Sequence, residues 1–145
     1  WPGIGWLARA TGTVFVTRDR RNAARDIATL RDRLARGQTL VFFPEGTSSD
    51  GLRVLPFKPT LFAPLIELGL AVQPVTLSYA APRGADPRVY GWWGDMAFGP
   101  HLAATLALPQ QGHVTLTYHA VRHLTPDTAR KPLAAMLERD VRNAL

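Results

Sequence analysis

The chain has 145 residues, 46% apolar and 19% charged, which excludes a disordered composition and fits one domain with a sizeable core. Its formal net charge is +6, from 17 Lys and Arg against 11 Asp and Glu, and Lys58 and Lys131 are the only lysines. There is no cysteine, which excludes disulfides, thiolate metal ligands and a thiol nucleophile.

An arginine-rich balance suits an anionic partner, whether a phospholipid headgroup, a nucleotide-bearing cofactor or a nucleic acid, although solvated helix faces account for part of it. No run of 18 uncharged apolar residues occurs, so no transmembrane helix is expected within these residues. The first residue is Trp1 rather than Met, and the expectation is a fragment whose upstream residues are missing.

Residues 1–10 combine small residues with Trp1 and Trp6 and end in a short predicted helix; the tryptophans read as core, with a membrane interface as the alternative. Residues 12–17 are β-branched and aromatic, hence a strand, and Arg18-Asp19-Arg20-Arg21 sets a charge cluster at its end. Residues 22–36 form an amphipathic helix. Asn22 is its N-cap, Ala23, Ile27, Leu30 and Leu34 share one face, Arg25, Asp32, Arg33 and Arg36 are available to solvent, and Gly37 follows as C′.

The helix runs into Thr39-Leu40-Val41-Phe42-Phe43, predicted as a buried strand stopped by Pro44. Glu45, Gly46, Thr47, Ser48, Ser49, Asp50 and Gly51 then form a polar loop. It stands at the strand's C-terminal end, where open α/β sheets place their ligands; an ordinary turn is the bland alternative. Strand, helix and strand joined by a right-handed crossover put the charged end of the first strand beside this loop.

After an irregular link over residues 52–58, Pro59 opens a helix over residues 60–68 that Pro64 kinks or splits and Gly69 ends. Residues 70–79 read as a strand with an edge or bulge at Pro74. Residues 80–95 are a long loop whose Tyr90, Trp92 and Trp93 either touch acyl chains and the bilayer interface or pack locally. A short helix is expected over residues 100–108. Residues 113–121 alternate, with Val114, Leu116, Tyr118 and Ala120 against a wet face of Thr115, Thr117 and His119. Thr125 and Pro126 are the predicted start of a last helix with Leu133, Met136, Leu137 and Val141 on one face. The expectation is a single α/β domain with a mixed, mostly parallel central sheet flanked by helices.

Three segments, in this order, carry a resemblance: Gly12-x-x-Phe15-x-x-Arg18, Phe43-Pro44-Glu45-Gly46-Thr47-x-Ser49, and Val72-x-Pro74-Val75. They resemble the second, third and fourth sequence blocks of the glycerolipid acyltransferases that acylate lysophosphatidic acid and related lysolipids. The likeness covers most of the chain, and the Phe-Pro-Glu-Gly-Thr block is its most specific part. It implies an O-acyltransferase of bacterial membrane lipid biosynthesis, moving a fatty acyl group from acyl carrier protein or coenzyme A to a lysolipid hydroxyl. It implies no bound cofactor or metal and no nucleic-acid partner. It also implies a place at the cytoplasmic face of the inner membrane, peripheral or anchored by a missing N-terminal segment.

The family's first block, His-x-x-x-x-Asp, supplies the catalytic base. Here the residues five beyond His101, His113, His119 and His123 are Leu106, Tyr118, Leu124 and Thr128. The resemblance therefore implies that the catalytic pair precedes Trp1, that none of it lies in this chain, and that these residues alone are inactive. Such a base takes the proton of the attacking hydroxyl, and the aspartate fixes the imidazole tautomer.

The remaining blocks bind. Arg18 is the first candidate for an anionic acceptor headgroup, with a surface ion pair to Asp19 or Glu45 as the alternative. Glu45 positions the acceptor or holds Arg18, Gly46 lets the backbone approach closely, and Thr47, Ser48 and Ser49 complete the set. The family often carries arginine where Ser48 stands. The Glu-Gly-Thr-Ser-Ser-Asp-Gly form resembles the branch that includes lyso-ornithine lipid acyltransferases. Either the acceptor is not lysophosphatidate, or Arg53 or Lys58 replaces the lost charge. A degenerate lipid- or membrane-surface-binding module is the competing reading. Nucleic-acid binding through Arg20, Arg21, Arg25, Arg33 and Arg36 lacks an aromatic-interleaved basic motif.

Overall fold

A computed structural model describes residues 5–6, 10, 12–13 and 23–145, without the side chains of residues 23, 24, 26 and 27. It divides into two compact units, residues 1–41 and 42–145.

In the first unit, helix α1 (Ala23–Ala35) buries Leu30 and Leu34, one turn apart, while Arg25, Asp32 and Arg36 face solvent as the pattern predicts. Gly37, at a φ of +76°, closes the helix in a Schellman motif. Its N–H donates to the Leu34 carbonyl at 2.9 Å, and that of Gln38 to the Arg33 carbonyl at 3.2 Å. The Arg33 guanidinium is not free in solvent but donates to the Gly12 carbonyl at 2.6 Å. Trp6, expected in the core, is 71% exposed. Trp1, Arg18 and Asn22, with most of the strand expected over residues 12–17, lie outside the described residues.

Residues 39–43 correct a second expectation. They join no ladder among the described residues, and Val41 and Phe43 are 83% and 66% exposed. A strand is buried by its neighbours, and no described segment pairs with this one. Phe42 alone turns inward, its ring edge-on to Phe62 at 5.5 Å between centroids.

The second unit runs through a 3-10 turn (Pro59–Phe62), α2 (Ala63–Glu67), β1 (Ala71–Val72), β2 (Val75–Ala80), α3 (Phe98–Leu106), β3 (His113–Tyr118), β4 (Arg122–His123) and α4 (Arg130–Arg142). Pro64 stands where the 3-10 turn passes into α2, the split its ring predicts. Helices and strands are both present, an α/β composition. Every ladder among the described residues is antiparallel, however: β1 with β4 and β2 with β3, so the mostly parallel sheet is not seen there. Pro74 ends β1's run because it has no N–H to donate. Val72 faces Arg122 and Val75 faces Tyr118, so residues 73–74 oppose residues 119–121, a one-residue bulge. His119 N–H to Pro74 O and Gln73 Nε2 to His119 O, both 3.0 Å, hold it closed.

The apolar face predicted for β3 is not covered. Val114, Leu116 and Tyr118 are exposed, Tyr118 by 65%. On the hydroxyl face Thr115 is exposed as well, and only Thr117 is half-buried, opposite the fully buried Thr76. The Thr76 hydroxyl donates to the Val141 carbonyl of α4 at 3.0 Å and, having one proton, accepts from His119 Nε2 at 2.8 Å. The Val141 carbonyl, near the end of α4, takes this hydroxyl in addition to the Ala144 N–H at 3.3 Å.

The core gathers Val54, Phe62, Leu65, Ile66, Leu124, Leu133, Ala134 and Leu137, with α4 packed on the 3-10 turn and on β2. Leu133 and Leu137 recur at i, i+4, and Arg139 and Arg142 occupy the last turn, where cations complement the helix dipole. The helix starts at Arg130 rather than at Pro126. Thr125 and Thr128 close a turn of their own first, with Thr128 N–H to Thr125 O at 2.9 Å and Thr125 N–H to Thr128 Oγ1 at 3.0 Å.

Candidate functional site

Proline at the second position and glycine at the fourth are the residues a type I turn favours. Phe43-Pro44-Glu45-Gly46 makes such a turn, closed by Gly46 N–H on the Phe43 carbonyl at 3.1 Å. Gly46 then takes a φ of +68°, which a side chain would resist. The chain makes an excursion from there and returns to Lys58, whose N–H donates to the Pro44 carbonyl at 2.8 Å, so residues 44–58 are a loop with joined ends.

Side chains staple the loop from within. Glu45 Oε2 accepts the Leu55 N–H at 2.7 Å, in a half-buried position. Ser49 Oγ accepts from Gly51 N at 3.2 Å, and Asp50 Oδ1 accepts from Leu52 N at 3.2 Å. Asp50 also pairs with Arg53 at 3.2 Å. Outside the loop, Glu138 accepts the Phe57 N–H at 3.1 Å and holds Arg142 with its other oxygen.

The structure therefore brings Glu45, Gly46, Thr47, Ser48 and Ser49 together in one loop and gives them different work. The Glu45 carboxylate and the Ser49 hydroxyl are engaged with backbone. Thr47 and Ser48 are exposed, and their hydroxyls have no partner among the described residues. Arg18 lies outside the described residues. Lys58 lies directly against Gly46: a Cβ there would fall 2.6 Å from Lys58 Nζ. Sequence spacing alone, twelve residues apart, does not show this meeting; the Pro44–Lys58 closure produces it.

The aromatic loop is locally packed. Tyr90 lies 5.9 Å from Tyr79 between centroids, and its hydroxyl accepts from Gly112 N at 2.6 Å. Trp92 meets Phe98 edge-on at 5.1 Å and donates Nε1 to the Met96 carbonyl at 2.7 Å. Arg88 stands 5.9 Å over the Trp93 ring. The same Arg88 binds Asp86 through a side-chain hydrogen bond and a backbone N–H, which lower the Asp86 carboxyl to about 2. An open cavity of about 230 Å³ lies between this loop and α3, lined by Trp93, Met96, His101 and Thr105 among others, and by nothing from residues 44–58.

Among the described residues, no three His, Cys, Asp or Glu side chains form a group that could hold a metal ion, and no helix is long and apolar enough to cross a membrane. His119 is tied to Thr76.

A model of the Acyltransferase family matches residues 1–78. Over 149 aligned positions the chain is 52% identical to a lyso-ornithine lipid O-acyltransferase of Rhodobacter capsulatus, covering all of this chain and 54% of that protein. It is 38% identical over 160 positions to a lyso-ornithine lipid O-acyltransferase of Brucella abortus, covering all of this chain and 59% of the other. A 1-acyl-sn-glycerol-3-phosphate acyltransferase of Neisseria gonorrhoeae is 42% identical over 88 positions, or 58% of this chain and 33% of its own. The chain thus spans between half and three-fifths of the length of the two lyso-ornithine relatives. No solved structure matches it.

Proposed function

Because this chain belongs to the Acyltransferase family, we propose that its residues 44–58 form the acceptor-binding wall of a lysolipid O-acyltransferase. The observation that carries the reading is the stapled loop, which fixes the Glu-Gly-Thr-Ser segment while leaving the Thr47 and Ser48 hydroxyls open to solvent. The acceptor is a lysolipid, with lyso-ornithine lipid favoured by the names of the relatives that align along the whole chain and by Ser48 in place of arginine. The donor is an acyl thioester of acyl carrier protein or coenzyme A. Its carbonyl carbon is attacked by the acceptor hydroxyl, the thiolate leaves, and a histidine base takes the hydroxyl proton. That base comes from a His-x-x-x-x-Asp block elsewhere in the full-length protein, since no histidine here has an aspartate five residues on.

Arg18, the arginine of the Gly12-x-x-Phe15-x-x-Arg18 block, is a further candidate ligand of an anionic acceptor headgroup. The net charge of +6 suits an anionic bilayer, and the site of action is the cytoplasmic face of the inner membrane.

The test is acyl transfer by the full-length protein, given labelled acyl-carrier-protein or coenzyme A thioesters with lyso-ornithine lipid or lysophosphatidate. Labelled diacyl product supports the reading. Absence of product with both donors and both acceptors contradicts it and leaves a lipid-binding module in its place. Arg18→Ala should raise the KM for the acceptor by about 10-fold, the value of one charge-assisted contact.

A further inference from the structure

We infer that Lys58 is the specificity-determining cation of this site, receiving the anionic group of the lysolipid headgroup, carboxylate or phosphate, at Gly46–Ser48; this rests on the acyltransferase reading above. Two fixed points anchor its backbone. The Lys58 N–H is held by the Pro44 carbonyl at 2.8 Å, and Pro59 begins the 3-10 turn immediately after it. The side chain then crosses the open face of Gly46. A Cβ there would lie 2.6 Å from Nζ, 3.0 Å from Cε and 3.1 Å from Cδ, so the lysine stem and ammonium lie over the face that glycine leaves bare.

The neighbouring cation does not compete for the role. Arg53 is paired with Asp50 at 3.2 Å, whereas Lys58 has no ion pair among the described residues. The nearby carboxylate of Glu45 is turned to the Leu55 N–H. The two chain positions after Gly46 carry the open hydroxyls of Thr47 and Ser48. One ammonium with three donors beside two hydroxyls suits an oxyanion of either shape. With a neutral serine at position 48, the lysine is the cation that the loop itself offers.

The experiment is steady-state kinetics of full-length wild type, Lys58→Met and Lys58→Arg with three acceptors: lyso-ornithine lipid, lysophosphatidate and an uncharged monoacylglycerol. Methionine keeps the apolar stem over Gly46 and removes the charge. Lys58→Met should raise KM for a charged acceptor by at least ~10-fold, as loss of a charged hydrogen bond does, with the donor KM and the monoacylglycerol KM unchanged. Lys58→Arg should restore most of it. A shift confined to lyso-ornithine lipid identifies the carboxylate, and one confined to lysophosphatidate identifies the phosphate. Unchanged KM on both charged acceptors, or an equal rise on monoacylglycerol, overturns the inference while leaving the acyltransferase reading intact. A wild type that acylates none of the three overturns both.

Discussion

Residues 44–58 and 81–97 are the two long irregular segments of the second unit, and they are held by opposite means. The first is closed by backbone: its ends meet at Pro44 and Lys58, and Glu45, Ser49 and Asp50 accept N–H groups from within it. The second is closed by rings, Tyr90 on Tyr79 and Trp92 on Phe98, whose polar tips also find partners. A loop stapled through its backbone keeps side chains in reserve, here Thr47, Ser48 and Lys58. A loop whose aromatic side chains are all engaged serves as a wall. The two touch where Gly91 is buried against the backbone of Asp50.

The strongest way to break the comparison is at that contact. A Cβ on Gly91 would lie 2.5 Å from the Asp50 carbonyl oxygen and 2.9 Å from its Cα, both backbone atoms that cannot swing aside. Gly91→Ala should therefore cost about 1–3 kcal/mol, as overpacking does, read as a lower denaturant midpoint. An unchanged midpoint would separate the loops.

Glu45→Ala tests the staple. It strands the half-buried Leu55 N–H and should cost about 1–2 kcal/mol, whereas Glu45→Gln keeps an acceptor oxygen and should cost less. Equal losses in the two variants would mean that charge, not the hydrogen bond, holds the loop.

The smallest effect concerns the second loop. Asp86 is lowered to about 2 by its bonds from Arg88. A depressed carboxyl contributes stability that is present above its ordinary value of 3.8 and lost as pH falls through about 2. The pair is fully solvated, so its readout is titration of the Asp86 carboxyl by NMR, with Arg88→Ala returning the midpoint toward ~4. A midpoint indifferent to Arg88 would remove the pair from the loop's description.

Local chemistry was legible in the sequence wherever one residue decides the outcome. Gly37 ends α1, Pro64 splits its helix, and Pro74 breaks the strand at a bulge, each through its own backbone restriction. The Glu45–Ser49 segment was legible as a polar loop after Phe43 because proline and glycine write the turn. What depends on partners was not. Alternation in residues 113–118 says that two faces differ, yet only Thr117, opposite the buried Thr76, is half covered. Residues 39–43 are apolar enough for a buried strand, yet burial needs neighbours that composition does not supply. Lys58 was one of two cations available to replace the lost arginine. Only the closure of the loop onto Pro44 and the Asp50–Arg53 pair distinguish them.

The most direct test of the proposed acceptor site is a competition assay with equal amounts of lyso-ornithine lipid and lysophosphatidate, using full-length wild type and Ser48→Arg. Ser48 is exposed, so the substitution should alter stability by less than about 0.5 kcal/mol. Wild type should acylate lyso-ornithine lipid in preference. The added guanidinium should then move the product ratio toward lysophosphatidate by about 10-fold, the worth of one charge-assisted contact. A ratio that Ser48→Arg leaves unchanged, with both proteins folded and active, would place the headgroup somewhere other than this loop.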